Sequence, residues 1–435
     1  MTKIKNNIQQ QEKSTVALPK KKKRFKRTKL GIVLAAMGPG IITAMAGNDA
    51  GGIATYSTAG ANFGYATLWT IPIMCLLLII AQGTAAKMGV VTGKGFAALI
   101  REKFGIRWTA FAMLVLLIGN TSTTFSEFAG IASGMELFGV SKYISIPVAA
   151  VAVWLLIVGG NYKRVEKVFL IISCVFATYV VAAFLSEPNW DLALSSTVTP
   201  AILPNQSFVG LIIAMFGTTI APWMLFFVES NIVEKGNGAN VSDRENDLLS
   251  GKVDAVTGSI VALVVAWFII VTTGTVLFPQ GISVDTAQDA ARALAPFAGQ
   301  YAEVLFGVGL IAASFLAACV LPLTTSFVVC EAFGWEAGVS FKWKDAPIFK
   351  SLLTIIILLS LIIDLLPSID LMDIMLQSQF IGGLILPVLL VFMAIISSDK
   401  LIMKEYTLGT VSKVLLWVTV FIVTGLTIAL IIFSL

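Results

Sequence analysis

The sequence predicts an all-α integral membrane protein with eleven transmembrane helices, two of them broken at mid-membrane. Three observations carry this. Over 435 residues, 57% are hydrophobic and 13% charged, about half the charge of an ordinary soluble protein. Mean hydropathy is +0.90, and the apolar residues fall in runs that reach the ~20 residues a bilayer crossing needs. Within the first and sixth runs, Gly and Pro interrupt what would otherwise be continuous helices.

The chain contains no histidine and four cysteines. Catalytic triads, imidazole proton relays and His-bearing zinc sites are thereby excluded. Cys75, Cys174, Cys319 and Cys330 sit in or at the end of apolar runs without metal-ligand spacing, which marks them as small core hydrophobes. No nucleophile-base pair is evident, and Gly89 to Lys94 falls one residue short of a phosphate-binding loop. Neither an enzyme, a resident cofactor nor a nucleic-acid partner is expected.

Residues 1–30 form a basic tail with 11 of the 30 Lys+Arg and a single acid. The run from Lys20 to Lys29 is too hydrophilic for a secretory signal. It reads as a disordered cytoplasmic arm, either touching anionic lipid or serving only as a positive anchor. The spans follow at about 31–58, 65–90, 108–138, 144–160, 164–186, 207–229, 249–278, 300–332, 348–366, 370–397 and 411–435. With the tail inside, Lys94, Arg101, Lys103, Lys163, Arg164, Lys342 and Lys400 all fall on the cytoplasmic side, and only Lys142 and Arg292 fall outside. That partition satisfies the positive-inside rule for a cell-membrane protein with a cytoplasmic N-terminus and an extracellular C-terminus.

The first span reads Gly38-Pro39-Gly40 and then Gly47-Asn48-Asp49-Ala50-Gly51-Gly52; the sixth reads Gly217-Thr218-Thr219-Ile220-Ala221-Pro222. Unwound backbone at mid-membrane survives only inside protein or beside a watery cavity, where its carbonyls can hold a cation. Close packing of glycines is the competing explanation, and the acid between them weighs against it. The stretches Ile42–Gly47 and Ile212–Gly217 share the pattern I-x-A-M-x-G just before each break. Spans 1 and 6 would then open two five-helix inverted repeats, 31–186 and 207–397, with 411–435 an additional helix. This is the LeuT-type arrangement, with substrate at the repeat interface.

An ionisable side chain at the bilayer centre is costly and normally faces a cavity or a partner. Asp49 lies in the first break with no basic residue nearby in its span, and so calls for a cation. Glu127 in the third span is either a neutral core group or part of the ion path. Gln377 and Gln379 open the tenth span as helix-joining amides or as site groups. One carboxylate, freed carbonyls, a threonine hydroxyl and a glutamine amide are hard oxygen donors, suited to Mg²⁺ or Mn²⁺ rather than to softer ions. Mg²⁺ sheds water reluctantly, and a roomy site with one Asp suits a partly hydrated ion. Met45, Met215 and Met224 qualify this argument, but their helical spacing fits packing residues.

These residues resemble the Nramp divalent-metal transporters, whose first helix carries D-P-G-N and whose sixth carries G-A-x-x-M-P-H. The matching stretches are Asp49-Ala50-Gly51-Gly52, followed by Ala59 to Tyr65, and Gly217 to Trp223. At the family positions this chain has Ala50 for Pro, Gly52 for Asn, Thr218 for the coordinating Ala, Ala221 for the metal-binding Met and Trp223 for His. Asp49 remains, with Gln379 at the place of the helix 10 glutamine. This set is most similar to the Nramp-related magnesium transporters. The resemblance implies a site formed by Asp49, Gly52, Thr218, Ala221 and Gln379 that takes hydrated Mg²⁺, tolerates Mn²⁺ and does not couple to protons. The family's helix 3 D-x-x-E reads Thr124 to Glu127 here, and in place of an arginine pair in helix 9 stands Lys350. Thr124, Glu127 and Trp223 are thus secondary or ion-path positions. The alternative within the family is a proton-coupled Mn²⁺ or Fe²⁺ transporter.

Overall fold

The computed structural model describes residues 48–159, 175, 178–234, 244–339 and 341–434. The tail 1–30, Gly38-Pro39-Gly40, Ile42–Gly47 with Met45, Lys163, Arg164 and Cys174 lie outside the described residues. The described elements are helical. In chain order the principal ones are α1 Ala50–Phe63, α2 Thr70–Thr92, α3 Phe96–Glu136, α4 Lys142–Val158, α5 Thr178–Leu185, α6 Trp190–Val198 and α7 Gln206–Thr219. They continue with α8 Pro222–Glu234, α9 Arg244–Val276, α10 Ala302–Phe333, α11 Pro347–Asp364, α12 Leu371–Ser398 and α13 Thr410–Ser434.

Among the described residues eight helical segments are long and apolar enough to cross a membrane, and Lys142–Val158 is apolar but shorter. The expected spans 31–58 and 164–186 are described mainly through α1 and α5. The remaining limits shift where local chemistry dictates. Gly64, at φ 55°, ends α1, and 3-residue turns carry the chain to Thr70, so α2 starts later than 65. α3 begins at Phe96 rather than 108, because a short arm precedes a kink at Gly105, φ 77°. α9 gains a polar first turn holding Glu245 and Asp247, acids that suit a helix N-terminus. The short helices α6 and Ala287–Arg292 escape a rule based on apolar length. The second is set by a Thr286–Asp289 capping box.

The sixth span breaks as its residues require. α7 stops at Thr219, Ile220 leaves helical space at φ −110°, ψ 60°, and α8 restarts at Pro222. Pro222 has no N–H for the Thr218 carbonyl, and Pro is tolerated in a helix's first turn. α7 lies against α12 with backbones almost touching: a Cβ on Gly217 would fall 2.0 Å from the Gln379 carbonyl oxygen. α3 runs along α10 and α12, and α9 packs on α1 and α2.

The outward faces are apolar. Ile355, Leu358, Leu359 and Ile362 form one exposed stripe on α11 at i, i+3, i+4, i+7 spacing. α6 is held beside the bundle by tryptophans: the Trp267 indole donates to Thr197 Oγ1 at 2.9 Å, the Trp69 indole to the Ala201 carbonyl at 3.0 Å, and Trp190 stacks on Trp267. Tryptophans gathered at one level of a bundle fit a membrane-water boundary. Cys319 and Cys330 are buried, as core hydrophobes should be, whereas Cys75 is half-buried.

Candidate metal site

Asp49 caps the N-terminal end of α1. Its Oδ1 accepts from the Gly52 N–H at 2.8 Å, while Glu127 Oε2 of α3 accepts from the Ala50 N–H at 3.3 Å. Two carboxyl groups thus meet the free donors and the positive dipole end of one half-helix. Asp49 is 2% exposed and Glu127 fully buried. Among the described residues no lysine or arginine forms an ion pair with either. Among the described residues Glu127 Oε1 has no hydrogen-bond donor, nor has the amide nitrogen of Asn48, the residue before Asp49, an acceptor.

Facing this end are the α7–α8 break and α12. Thr218 is buried with an unpartnered Oγ1. Its neighbour Thr219 is committed elsewhere: Oγ1 donates to the Met215 carbonyl at 2.6 Å and lies 2.7 Å from the Tyr56 hydroxyl of α1. Gln379 is buried against Gly51, its Nε2 donating to Ser378 Oγ at 3.2 Å. Ala221 packs with Trp223 and Met224 against Ala317 and Leu321 of α10. The Trp223 ring lies edge-on to Phe227, and its indole nitrogen is unpartnered.

The structure therefore gathers Asp49, Gly52, Glu127 and Gln379 around the α1 end, with Thr218, Ala221 and Trp223 at the opposing break. Thr124 lies one turn from Glu127 but turns back on its helix, Oγ1 donating to the Asn120 carbonyl at 2.6 Å. Gln377 does not join: it is exposed and reaches Asp373 at 3.4 Å, because two residues along a helix point to different sides. Met215 is buried in the core, as packing predicts, but the Met224 sulfur also takes the Gln82 amide at 3.9 Å. Among the described residues Lys350 pairs with no carboxylate, and it donates to the Val339 carbonyl at 2.9 Å. Asp49, Glu127, Thr218, Ala221, Trp223 and Gln379 are all buried.

Sequence reasoning missed several polar groups. Asn120 donates to Thr325 Oγ1 at 2.8 Å and leaves its Oδ1 unpartnered. Its signal was present, since Asn120, Thr124 and Glu127 stand at i, i+4, i+7 on one face of α3. Glu229 of α8 is fully buried with both carboxyl oxygens unpartnered, an acid at the very end of the 207–229 apolar run. Clustered orphan groups of this kind mark places where water or an ion belongs. Chemically, the ensemble offers one pair of carboxyls, a hydroxyl, an amide and unwound backbone: oxygen donors for a hard cation.

Comparison with known proteins places this geometry. The model of the family Nramp, natural resistance-associated macrophage protein-like, matches residues 40–433. A protein of Erwinia tasmaniensis described as the divalent metal cation transporter MntH is 30% identical over 315 residues, covering 71% of this chain and 75% of that one. A crystal structure of the Eremococcus coleocola manganese transporter superimposes with a TM-score of 0.76 at 22% identity, covering 97% of this chain and 89% of that one. The nucleobase-cation-symport-1 family transporter Mhp1 shares the fold more loosely, with a TM-score of 0.56 at 14% identity over 91% of each chain. With the family model matched over residues 40–433, nearly its whole length, this chain is a member of the Nramp family.

Proposed function

We propose that the chain carries divalent metal ions, Mg²⁺ and also Mn²⁺, into the cell by alternating access, without proton coupling. The observation that supports this best is Asp49: a buried carboxylate at the N-terminal end of α1 with no cationic partner among the described residues, while at the α7–α8 break the Thr218 hydroxyl has no partner among them. In this reading Asp49 supplies the charge, and Gly52, Thr218, Ala221 and Gln379 shape the site or hold the ion's water. Glu127, Thr124 and Trp223 border the path. In this reading the bundle has eleven spans, N-terminus inside, and its two five-helix repeats move against each other to expose the site to each side in turn. A divalent ion gains about 4.6 kcal/mol crossing a 100 mV inside-negative potential, enough for a roughly 10³-fold gradient without a co-ion.

The second reading is proton-coupled Mn²⁺ or Fe²⁺ transport, favoured by the names that the relatives carry. Against it stand Thr124 at the helix 3 acid position, the lack of histidine, and Lys350 engaged by a backbone carbonyl. Flux into voltage-clamped proteoliposomes, with a pH dye inside, separates the two. Voltage-driven Mg²⁺ uptake without acidification supports uniport; acidification in step with the metal overturns it.

A further inference from the structure

A cavity lies at the far end of the α3–α10 seam, on the side that the proposed orientation places outside the cell. It has a volume of about 270 Å³ and is lined by Ser133 and Glu136 of α3, Thr286 and Gln288, and Glu303 of α10. Ser133 forms its inner wall six residues from Glu127, about 9 Å along the helix. Between them α3 meets its neighbours closely at Gly130, where a Cβ would fall 2.4 Å from both Ser314 Oγ of α10 and the Ala50 Cβ of α1.

We propose that this cavity is an outer capture site for a hydrated divalent cation, which waits there before moving to the Asp49 site; this rests on the transport reading above. Two carboxylates, Glu136 and Glu303, face the space. The Gln288 amide nitrogen donates to Glu303 Oε1 at 2.7 Å, orienting that carboxylate. Ser133 provides an independent sign of a ligand. It is only 3% exposed, lines the cavity, and makes no hydrogen bond among the described residues, unlike Thr123 and Thr124, which bond back to their own helix. The volume suits a cation with six waters at roughly 30 Å³ each, and a metal that keeps its water needs carboxylates at hydrogen-bond rather than bonding distance.

Two cations stand near the rim. The Lys142 ammonium, which faces Glu136, donates to the carbonyls of Leu366 at 3.1 Å and Ile369 at 2.9 Å. Arg292 pairs with Asp289 at 3.2 Å. Lys142 keeps its charge in these bonds, but Glu136, Glu303 and Asp370 outnumber it, so the rim is net acidic, and an acidic mouth concentrates cations.

The test is Mn²⁺ binding to the full-length protein in nanodiscs, followed by electron paramagnetic resonance, beside initial-rate Mn²⁺ flux. Two bound ions are expected. Glu136→Gln with Glu303→Gln should lose one of them and raise the apparent KM about fivefold at low salt. Ser133→Ala, which leaves both carboxylates in place, should weaken the same ion. Asp49→Ala should keep the ion that the glutamine pair loses. The proposal is overturned if the glutamine pair binds as many ions as the unaltered protein, or if a single ion is bound and Asp49→Ala removes it. Continued transport by Asp49→Ala would instead sink the central-site reading and leave the outer ion count standing.

Discussion

Gly51 of α1 and Gln379 of α12 occupy one another's only available space. A Cβ built on Gly51 would lie 1.9 Å from the Gln379 amide nitrogen and 2.6 Å from its carbonyl carbon. The glycine's lack of a side chain, rather than flexibility, is what allows an amide to reach the N-terminal end of α1 beside Asp49. The same pair ties a half-helix of the first repeat to the tenth span, across the proposed repeat interface.

Gly51→Ala should therefore displace Gln379 and cost about 1–3 kcal/mol, as overpacking does. Thermal unfolding of the purified protein reads the loss. Adding Gln379→Ala should recover most of the unfolding temperature, since the clash is with the amide alone; a double variant as unstable as Gly51→Ala would refute the contact argument.

Asp49→Asn keeps the shape and the acceptor for the Gly52 N–H but removes the charge. Mg²⁺ and Mn²⁺ flux should fall by about two orders of magnitude or more, beyond the 10–100-fold typical of groups that only support a metal ligand. Flux within threefold of the unaltered protein would show that the carboxylate only caps α1.

Ala221→Met adds a thioether at the α8 start, where Ala221 now packs on Ala317 and Leu321. Softer ions such as Cd²⁺ should gain relative to Mg²⁺ by about tenfold, or ~1.4 kcal/mol. Competition of Cd²⁺ against Mn²⁺ uptake measures it. An unaltered ratio means that the side chain at 221 does not face the ion.

Outside the spans, Asp399 joins three segments. Its Oδ2 accepts from Lys103 on the α3 arm, and its Oδ1 caps Lys400–Met403 through the Leu401 N–H at 2.7 Å. The Lys103 ammonium and the capping N–H hold its carboxyl below the usual range. A depressed native value means stability that is present above the ordinary value, roughly 3.9, and lost as pH falls through the lower native one. The pair is partly exposed, so its worth is at most about 1 kcal/mol. Asp399→Asn should lower the unfolding temperature at pH 7 by a degree or two, as expected for a small increment in a chain this size, and this gap should close under strongly acidic conditions. A gap independent of pH would assign the effect to the cap alone.

Much of the bundle was legible in the chain. Apolar runs of bilayer length predict helices whatever their neighbours, because lipid leaves backbone groups no other partners. The break at Ile220–Ala221 followed from Pro222, which carries its own geometric constraint. Asp49 stood out because a charge deep in an apolar run is anomalous before any fold is known. The limits at Gly64 and Gly105, and the short helices α6 and Ala287–Arg292, were decided by turns and caps that hydropathy does not register.

What the sequence determined by itself was the solvent each segment lives in and the places where a helix cannot continue, both properties of the residues alone. What only the tertiary structure decided was partnership. Glu127 reaches the Ala50 N–H across 77 positions, Gln379 settles on Gly51 while Gln377 turns to Asp373, and Glu136 and Glu303 line one cavity. Those meetings depend on which helix faces lie together, and that is set by close packing of glycines and small side chains, a constraint that acts between elements and leaves no local trace in either.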